Sequence, residues 1–264
     1  MKLSLGDPIA HGSRSTVHAW GGDAVAKVPM PDTPDAWIRT EADYTSAVHL
    51  AGAPVPDFLG FENHQGRTVS IYRRARGVRM WDAVLEHPDQ ADAHGHLLAE
   101  LQVLLASLVP PIVLPAQVDR LRSKIRIAAG QTDSSLAAAL TAVPTVSRVV
   151  LCHGDLHPSN VIITLDGPVI VDWFDASRGD AVGDVARTTV LLATDSGTDH
   201  LAGARRELLE RLCAAYIGAA SASFGFDPAT LEQWRAVVAV ARIAEGIPLG
   251  PLRDVWLRWV RHHG

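Results

Sequence analysis

The residues best suited to chemistry lie between positions 150 and 184. They read Val150-Leu-Cys-His153-Gly-Asp155-Leu-His-Pro-Ser-Asn160, then Val171-Asp172-Trp173, then Gly179-Asp180 and Asp184. Asp155, Asp172 and the amide oxygen of Asn160 make a hard, oxygen-rich donor set. Such a set suits Mg²⁺, which takes few protein ligands and completes its shell with water and substrate phosphates. Asx residues also populate turns, but the joint spacing favours a site. His94 and His96 stand two apart on a helical stretch, do not share a face, and offer no zinc pair.

A hairpin has to position these side chains. Asn160–Thr164 and Val169–Asp172 read as strands around a turn at Asp166-Gly167-Pro168. Paired strands bring their ends together, so Asp155, Asn160 and Asp172 are expected at one rim. Ahead of them, Ser15–Trp20, Asp23–Val28, Asp57–Phe61 and Arg67–Arg73 read as strands, with a turn at Asn63-His64-Gln65-Gly66. Pro34 to Ala51 reads as the one helix among them. After Gly77 helices dominate: Ala91–Leu108, Gln117–Ala129, Ser134–Ala142, Val182–Ala193, Ala202–Ala222, Pro228–Ala244 and Pro251–His262. Arg148–Cys152 is a further strand. The expected architecture is α+β and bilobal, with a small β-rich lobe over 1–76, a join near Arg73–Gly77, and a larger, mostly helical lobe over 77–264.

Composition excludes several classes. Of 264 residues, 47% are hydrophobic and 20% charged, which is a globular balance, and neither collagen-like nor heptad repeats occur. A net charge of −5 argues against a partner recognised through its phosphate backbone, so no nucleic acid is expected. The two cysteines, Cys152 and Cys213, make no disulfide framework and read as buried thiols. The N-terminus carries no secretory h-region, and no apolar run reaches the roughly 18–20 residues of a membrane span. A cytoplasmic protein without a membrane partner is expected.

His-Gly-Asp-Leu-His-Pro-Ser-Asn followed by Val-Asp-Trp resembles the catalytic segment of the aminoglycoside phosphotransferase and choline-kinase-like family. These are small-molecule relatives of protein kinases. His153, Asp155 and Asn160 match the family pattern H-x-D-x-x-x-x-N, Asp172 matches its metal-binding Asp, and Gly179, Asp180 and Asp184 match its G-D-x-x-x-D. Ala-Val-Ala-Lys27-Val resembles the strand lysine element, and Glu41 lies in the helix that supplies the partner glutamate.

The resemblance implies a protein-kinase-like fold with an antiparallel N-terminal sheet. It implies an enzyme that uses ATP or GTP and Mg²⁺ to phosphorylate a hydroxyl of a small molecule. That acceptor would be an antibiotic such as an aminoglycoside, or a hydroxylated metabolite or sugar. Asp155 is then the catalytic base, Asn160 and Asp172 the metal ligands, and Lys27, Glu41, Gly12 and Ser13 nucleotide-binding residues. Arg73, Arg74 and Ala75 would meet the adenine through their backbone. His153 and Asp184 would support the loop. Asp175 and Asp180 would shape the turn after Asp172, and Asp175, Arg242 and Glu245 are candidates for touching the acceptor. A monomer or dimer is expected.

The sequence departs from the family in three respects, one being that it leaves little room for a long acceptor-binding insertion. His11-Gly12-Ser13-Arg14-Ser15 lacks the full glycine-rich pattern, and Leu101-Gln102-Val103 replaces a Leu-His element. From Ala176 onward ten arginines face ten carboxylates, which gives no support for a strongly cationic acceptor. A protein Ser/Thr kinase is disfavoured because Asp172-Trp173 replaces D-F-G and no A-P-E element follows. A silent nucleotide-binding module is disfavoured because the base, the metal ligands and the Lys–Glu pair are all present.

Overall fold

Short strands with tight turns build the first sheet. The computed structural model describes residues 5–12, 14–194, 202–246 and 249–263. The chain divides into two compact units: Met1–Arg79 with Asn160–Phe174, and Met80–Ser159 with Asp175–Gly264.

The first unit opens with β1 (Leu5–His11), β2 (Ser15–Trp20) and β3 (Ala24–Pro29), followed by α1 (Asp35–Leu50), β4 (Phe58–His64) and β5 (Arg67–Arg73). The strands form one antiparallel sheet in the order β1-β2-β3-β5-β4. The expected turn joins β4 to β5 through left-handed Gln65 and Gly66, at φ 52° and 80°. The strand reading omits β1, because Gly6 and Pro8 interrupt its alternation and its ladder slips register on either side of Pro8. Ala26, Val69 and Ile71 form the sheet's buried core, with Trp20 and Val28 packed against it. On α1, Ile38, Ala42, Thr45 and Val48 are buried at helical spacing. Pro34 starts this helix in extended conformation, and Asp35 in its first turn complements the helix dipole.

A second sheet in this unit joins β6 (Gly77–Arg79) to a hairpin made by β8 (Val161–Thr164) and β9 (Gly167–Ile170). The hairpin turn falls at Leu165-Asp166, one residue earlier than expected, and Gly167 (φ 114°) opens β9. β9 ends at Ile170, so Asp172 lies beyond the ladder instead of closing it.

The second unit begins with α2 (Met80–Glu86), α3 (Ala91–Ser107) and α4 (Gln117–Gln131). The expected helix over Ser134–Ala142 is a 3₁₀ stretch, Ser134–Ala138, closed by one turn of α5 (Ala139–Ala142). Next come β7 (Val150–Cys152), paired antiparallel with β10 (Ser177–Gly179), and α6 (Ala181–Thr194), α7 (Ala202–Phe224), α8 (Pro228–Ile243) and α9 (Leu249–His263). α8 is buried almost continuously from Ala236 to Ile243, and α4, α6 and α9 pack on it. A helix apolar on all sides is a core helix. α3 crosses α7 at Gly95, where a Cβ would stand 2.4 Å from the Leu212 carbonyl oxygen. Cys152 is buried and Cys213 only partly so, and both thiols are free. Among the described residues, no helix is long and apolar enough to cross a membrane.

Candidate active site

Strand β3 places Lys27 at the centre of the first sheet, opposite Val17 and Ser70. Its ammonium forms an ion pair with Glu41 of α1 and stands 3.4 Å from Asp172 Oδ1. Burial disfavours the charge on Lys27, but the carboxylates of Asp172 and Glu41 more than offset it and hold the ammonium protonated above the usual lysine range. Burial pushes the Glu41 carboxyl up, against the pull of Lys27.

Asp172 adopts φ 66°, a left-handed conformation that Asp tolerates better than most residues. Its side chain is 47% exposed. The Val171 N–H donates to the Asn160 carbonyl at 3.0 Å, which ties the two ends of the hairpin together. Among the described residues, no cluster of three His, Cys, Asp or Glu side chains forms a metal cage. One open carboxylate and one amide oxygen, both hard donors, fit Mg²⁺, whose remaining positions water and phosphate would fill.

Beside this group, Arg14 stacks over Phe174 at 5.0 Å and over Trp37 at 5.7 Å. The turn around it closes with Gly12 N–H donating to the Ser15 carbonyl. Ser13 lies outside the described residues. The Arg73 and Arg74 amides already donate to the Asp57 and Asp23 carbonyls. The backbone N–H groups of two of the three residues expected to meet an adenine are thus engaged within the chain.

In the second unit, the loop after β7 is held from below. Asp184 of α6 accepts the His153 and Gly154 amides at 2.9 and 2.8 Å, and Gln102 of α3 donates to it. Tyr216 in turn donates to Gln102 at 2.8 Å. Gln102 thus occupies the place of the family's histidine and still ties α3 to the loop. His153, fully buried, accepts the Asp155 amide on Nδ1. Gly154 (φ 77°) admits no side chain, because a Cβ would lie 2.2 Å from the Asp175 carbonyl oxygen.

Arg187 of α6 grips the same loop. Its Nε donates to the Gly154 carbonyl at 2.9 Å, and its Nη2 reaches Asp155 at 3.3 Å. His157 Nε2 stands 3.6 Å from the other Asp155 oxygen. Burial opposes ionisation of Asp155, but the nearby His157 ring and the charge of Arg187 win and hold the carboxyl well below the usual range.

An ion-pair lattice continues from there. Arg187 also pairs with Glu245 through Nη1 (2.9 Å) and Nη2 (3.0 Å). Lys124 bridges Glu245 (2.7 Å) and Asp175 (3.0 Å), and Arg120 reaches Asp175 at 2.8 Å. Arg242 stands 3.7 Å from Glu245. Asp175, Arg242 and Glu245 therefore meet within one cluster linked to Asp155. Asp180 accepts from the Ser147 amide and hydroxyl and from the Val182 amide, so it is committed to local structure. Sequence reasoning misses Arg187, Lys124 and Arg120 as site residues and reads Gln102 only as a departure from the family's Leu-His element. Their partners lie tens of residues away, and no local pattern signals them.

The family model described as the phosphotransferase enzyme family matches residues 7–234. No curated protein sequence matches. Among solved structures, an aminoglycoside-3'-phosphotransferase of type VIII is similar at 17% identity and TM-score 0.67, covering 91% of this chain and 94% of that one. The GDP complex of aminoglycoside 2'-phosphotransferase-IIIa is similar at 16% identity and TM-score 0.61, covering 100% and 94%. A choline/ethanolamine kinase family protein from Mesorhizobium loti is similar at 18% identity and TM-score 0.55, covering 98% and 86%. At such identities the likeness speaks for the protein-kinase-like fold. With that fold, and with a family match over most of its length, this chain belongs to the phosphotransferase enzyme family of small-molecule kinases.

Proposed function

We propose that the protein transfers the γ-phosphate of ATP or GTP, with Mg²⁺, to a hydroxyl of a small molecule: an antibiotic, a sugar or another hydroxylated metabolite. The observation that carries this reading is the partly buried Lys27–Glu41 pair with the half-exposed Asp172 carboxylate beside it. Together they offer one fixed cation for phosphate and one open oxygen ligand for a metal. The GDP held by one structural neighbour supports a nucleotide as the donor.

Phosphoryl transfer needs positioning and charge neutralisation more than covalent chemistry. Lys27, oriented by Glu41, holds the α- and β-phosphates. Mg²⁺, when bound by Asn160 and Asp172, neutralises phosphate charge. Asp155 accepts a hydrogen bond from the acceptor hydroxyl and directs its oxygen toward the γ-phosphorus. As that P–O bond forms, the bond to the β–γ bridging oxygen breaks. The hydroxyl proton passes to Asp155, and the nucleoside diphosphate leaves. The transition state is loose and the proton moves late, so a weakly basic carboxylate serves. The low proton affinity of Asp155 agrees with this role. Backbone groups around Arg73–Ala75 would meet the base. We place the enzyme in the cytoplasm, as a monomer without a nucleic-acid or membrane partner.

The test is release of ADP with ATP and Mg²⁺ over a panel of hydroxylated acceptors, with Asp155→Asn as the blank. Acceptor-dependent release is expected from the native protein alone, with nucleotide affinity retained in the variant. Asp172→Asn is expected to remove the Mg²⁺-dependent part of that affinity. Transfer that survives in Asp155→Asn, or a preference for casein over every small acceptor, overturns the proposal.

A further inference from the structure

We infer that the acceptor carries a single anionic group, such as a carboxylate, close to the hydroxyl that is phosphorylated, and is not a polyamine. The inference rests on the phosphotransfer reading above and narrows its acceptor. A cleft in the second unit is lined by Gly154, Arg187, Lys124, Arg120, Asp175 and Glu245, among others. Gly154 adjoins Asp155 in sequence and Arg187 bonds to it, so the cleft opens beside the residue that receives the hydroxyl.

A pocket for a polycation presents carboxylates with open acceptor positions. Here Asp175 and Glu245 each already hold two internal cations. Glu245 Oε1 takes Lys124 and Arg187, and Oε2 takes Arg187, with Arg242 beside it. Asp175 Oδ1 takes both Arg120 and Lys124. Asp184 also lines the cleft, but its oxygens are committed to the His153 and Gly154 amides and to Gln102. The cleft's charged lining is balanced, Arg120, Lys124 and Arg187 against Asp175, Asp184 and Glu245. An incoming ammonium would compete with these internal cations for the same carboxylates. An incoming carboxylate meets no such competition. Lys124 has a donor to spare: its ammonium carries three N–H groups and two are used, on Asp175 and Glu245. It is also one-quarter exposed, within reach of a ligand.

A matched series tests the charge alone. Gluconate, sorbitol and glucamine share a six-carbon polyol chain and differ at one end: carboxylate, hydroxymethyl or ammonium. Their binding to the full-length protein is measured by calorimetry at millimolar concentration, with kanamycin as the polycation. Gluconate is expected to bind about tenfold more tightly than sorbitol, with glucamine and kanamycin weaker still. Lys124→Met is expected to erase the advantage of gluconate, and Lys124→Glu to reverse the order. Arg120→Gln, at the cleft's other cation, gives an independent check should either Lys124 variant melt early. Glucamine or kanamycin binding better than gluconate overturns the inference. So does an order unchanged in Lys124→Glu, or no discrimination in the native protein. Nucleotide binding and Asp155-dependent ADP release are scored separately. Their absence beside an intact preference for gluconate would refute the phosphotransfer reading and leave the charge selectivity of the cleft standing.

Discussion

Replacing Arg187 with Gln removes the group that links Asp155 to Glu245. Four hydrogen bonds go: one to the Gly154 carbonyl, one to Asp155 and two to Glu245. Breaking a buried ion pair by deleting one partner costs about 3–5 kcal/mol. Lys124 and Arg242 remain near Glu245, so the lower end applies, about 3 kcal/mol. For a chain of this size that corresponds to a fall in Tm of roughly 6–12 °C. The loop also loses an anchor, and a displacement of order 1 Å at a reacting group costs about a hundredfold in kcat. Asp155 loses a cation while burial still opposes its charge, so its proton affinity climbs toward the usual carboxylate value, with His157 still holding it down. The acid limb of the kcat–pH profile should therefore move to higher pH. The assay is kcat from pH 4 to 8 together with a thermal melt. Arg187→Lys, which keeps the charge but loses the fork, should recover part of the acid limb and less of kcat. An unchanged acid limb, kcat and Tm in Arg187→Gln would refute the linkage.

The neighbouring residues give further expectations. Gln102→Ala strips a donor from buried Asp184 and an acceptor from the Tyr216 hydroxyl, a loss of about 1–3 kcal/mol for each orphaned group, readable in urea denaturation. Gly154→Ala should cost about 1–3 kcal/mol through its left-handed φ alone, and should lower kcat further as the loop moves off the Asp175 carbonyl; unchanged kinetics would count against that geometry. Asp155, Asp175 and Glu245 all titrate lower in the fold than their usual values, because cations outweigh burial. The unfolded chain then binds more protons in acid, so this stabilisation is complete above about pH 5 and is lost as pH falls through 4 and below. Urea midpoints at pH 7, 5, 4 and 3 should track that loss.

The sheet strands β2 and β5 and helix α1 are legible in the sequence because each carries a local pattern: β-branched runs, turn glycines, a 3.6-residue period. The pairing of Lys27 with Glu41 follows from the family's spacing and appears in the fold. Strands β6 and β10 are three residues each, too short to print a period, and exist because a partner strand supplies the hydrogen bonds. The charge character of the acceptor side was also hidden. Ten arginines balance ten carboxylates over the last third of the chain, yet folding gathers Arg187 and Arg242 with Arg120 and Lys124 from an earlier helix. A sum over sequence averages what tertiary contact concentrates.

One turn of α6 has a mechanical consequence. Asp184 takes hold of the loop's donors, the amides of residues 153 and 154, and three residues on Arg187 takes hold of its acceptors, the carbonyl of 154 and the carboxylate of 155. Residues three apart share a helix face. The loop is thus clamped with opposite polarity at two points of one rigid rod and travels with it as cargo. A tilt of α6 would therefore carry Asp155 with it. The cleft's other walls, α4 and the segment after α8, meet Arg187 and Asp175 through their side chains. Substitutions there can retune which acceptor is welcome while the alignment of the reacting carboxylate is kept by a separate part.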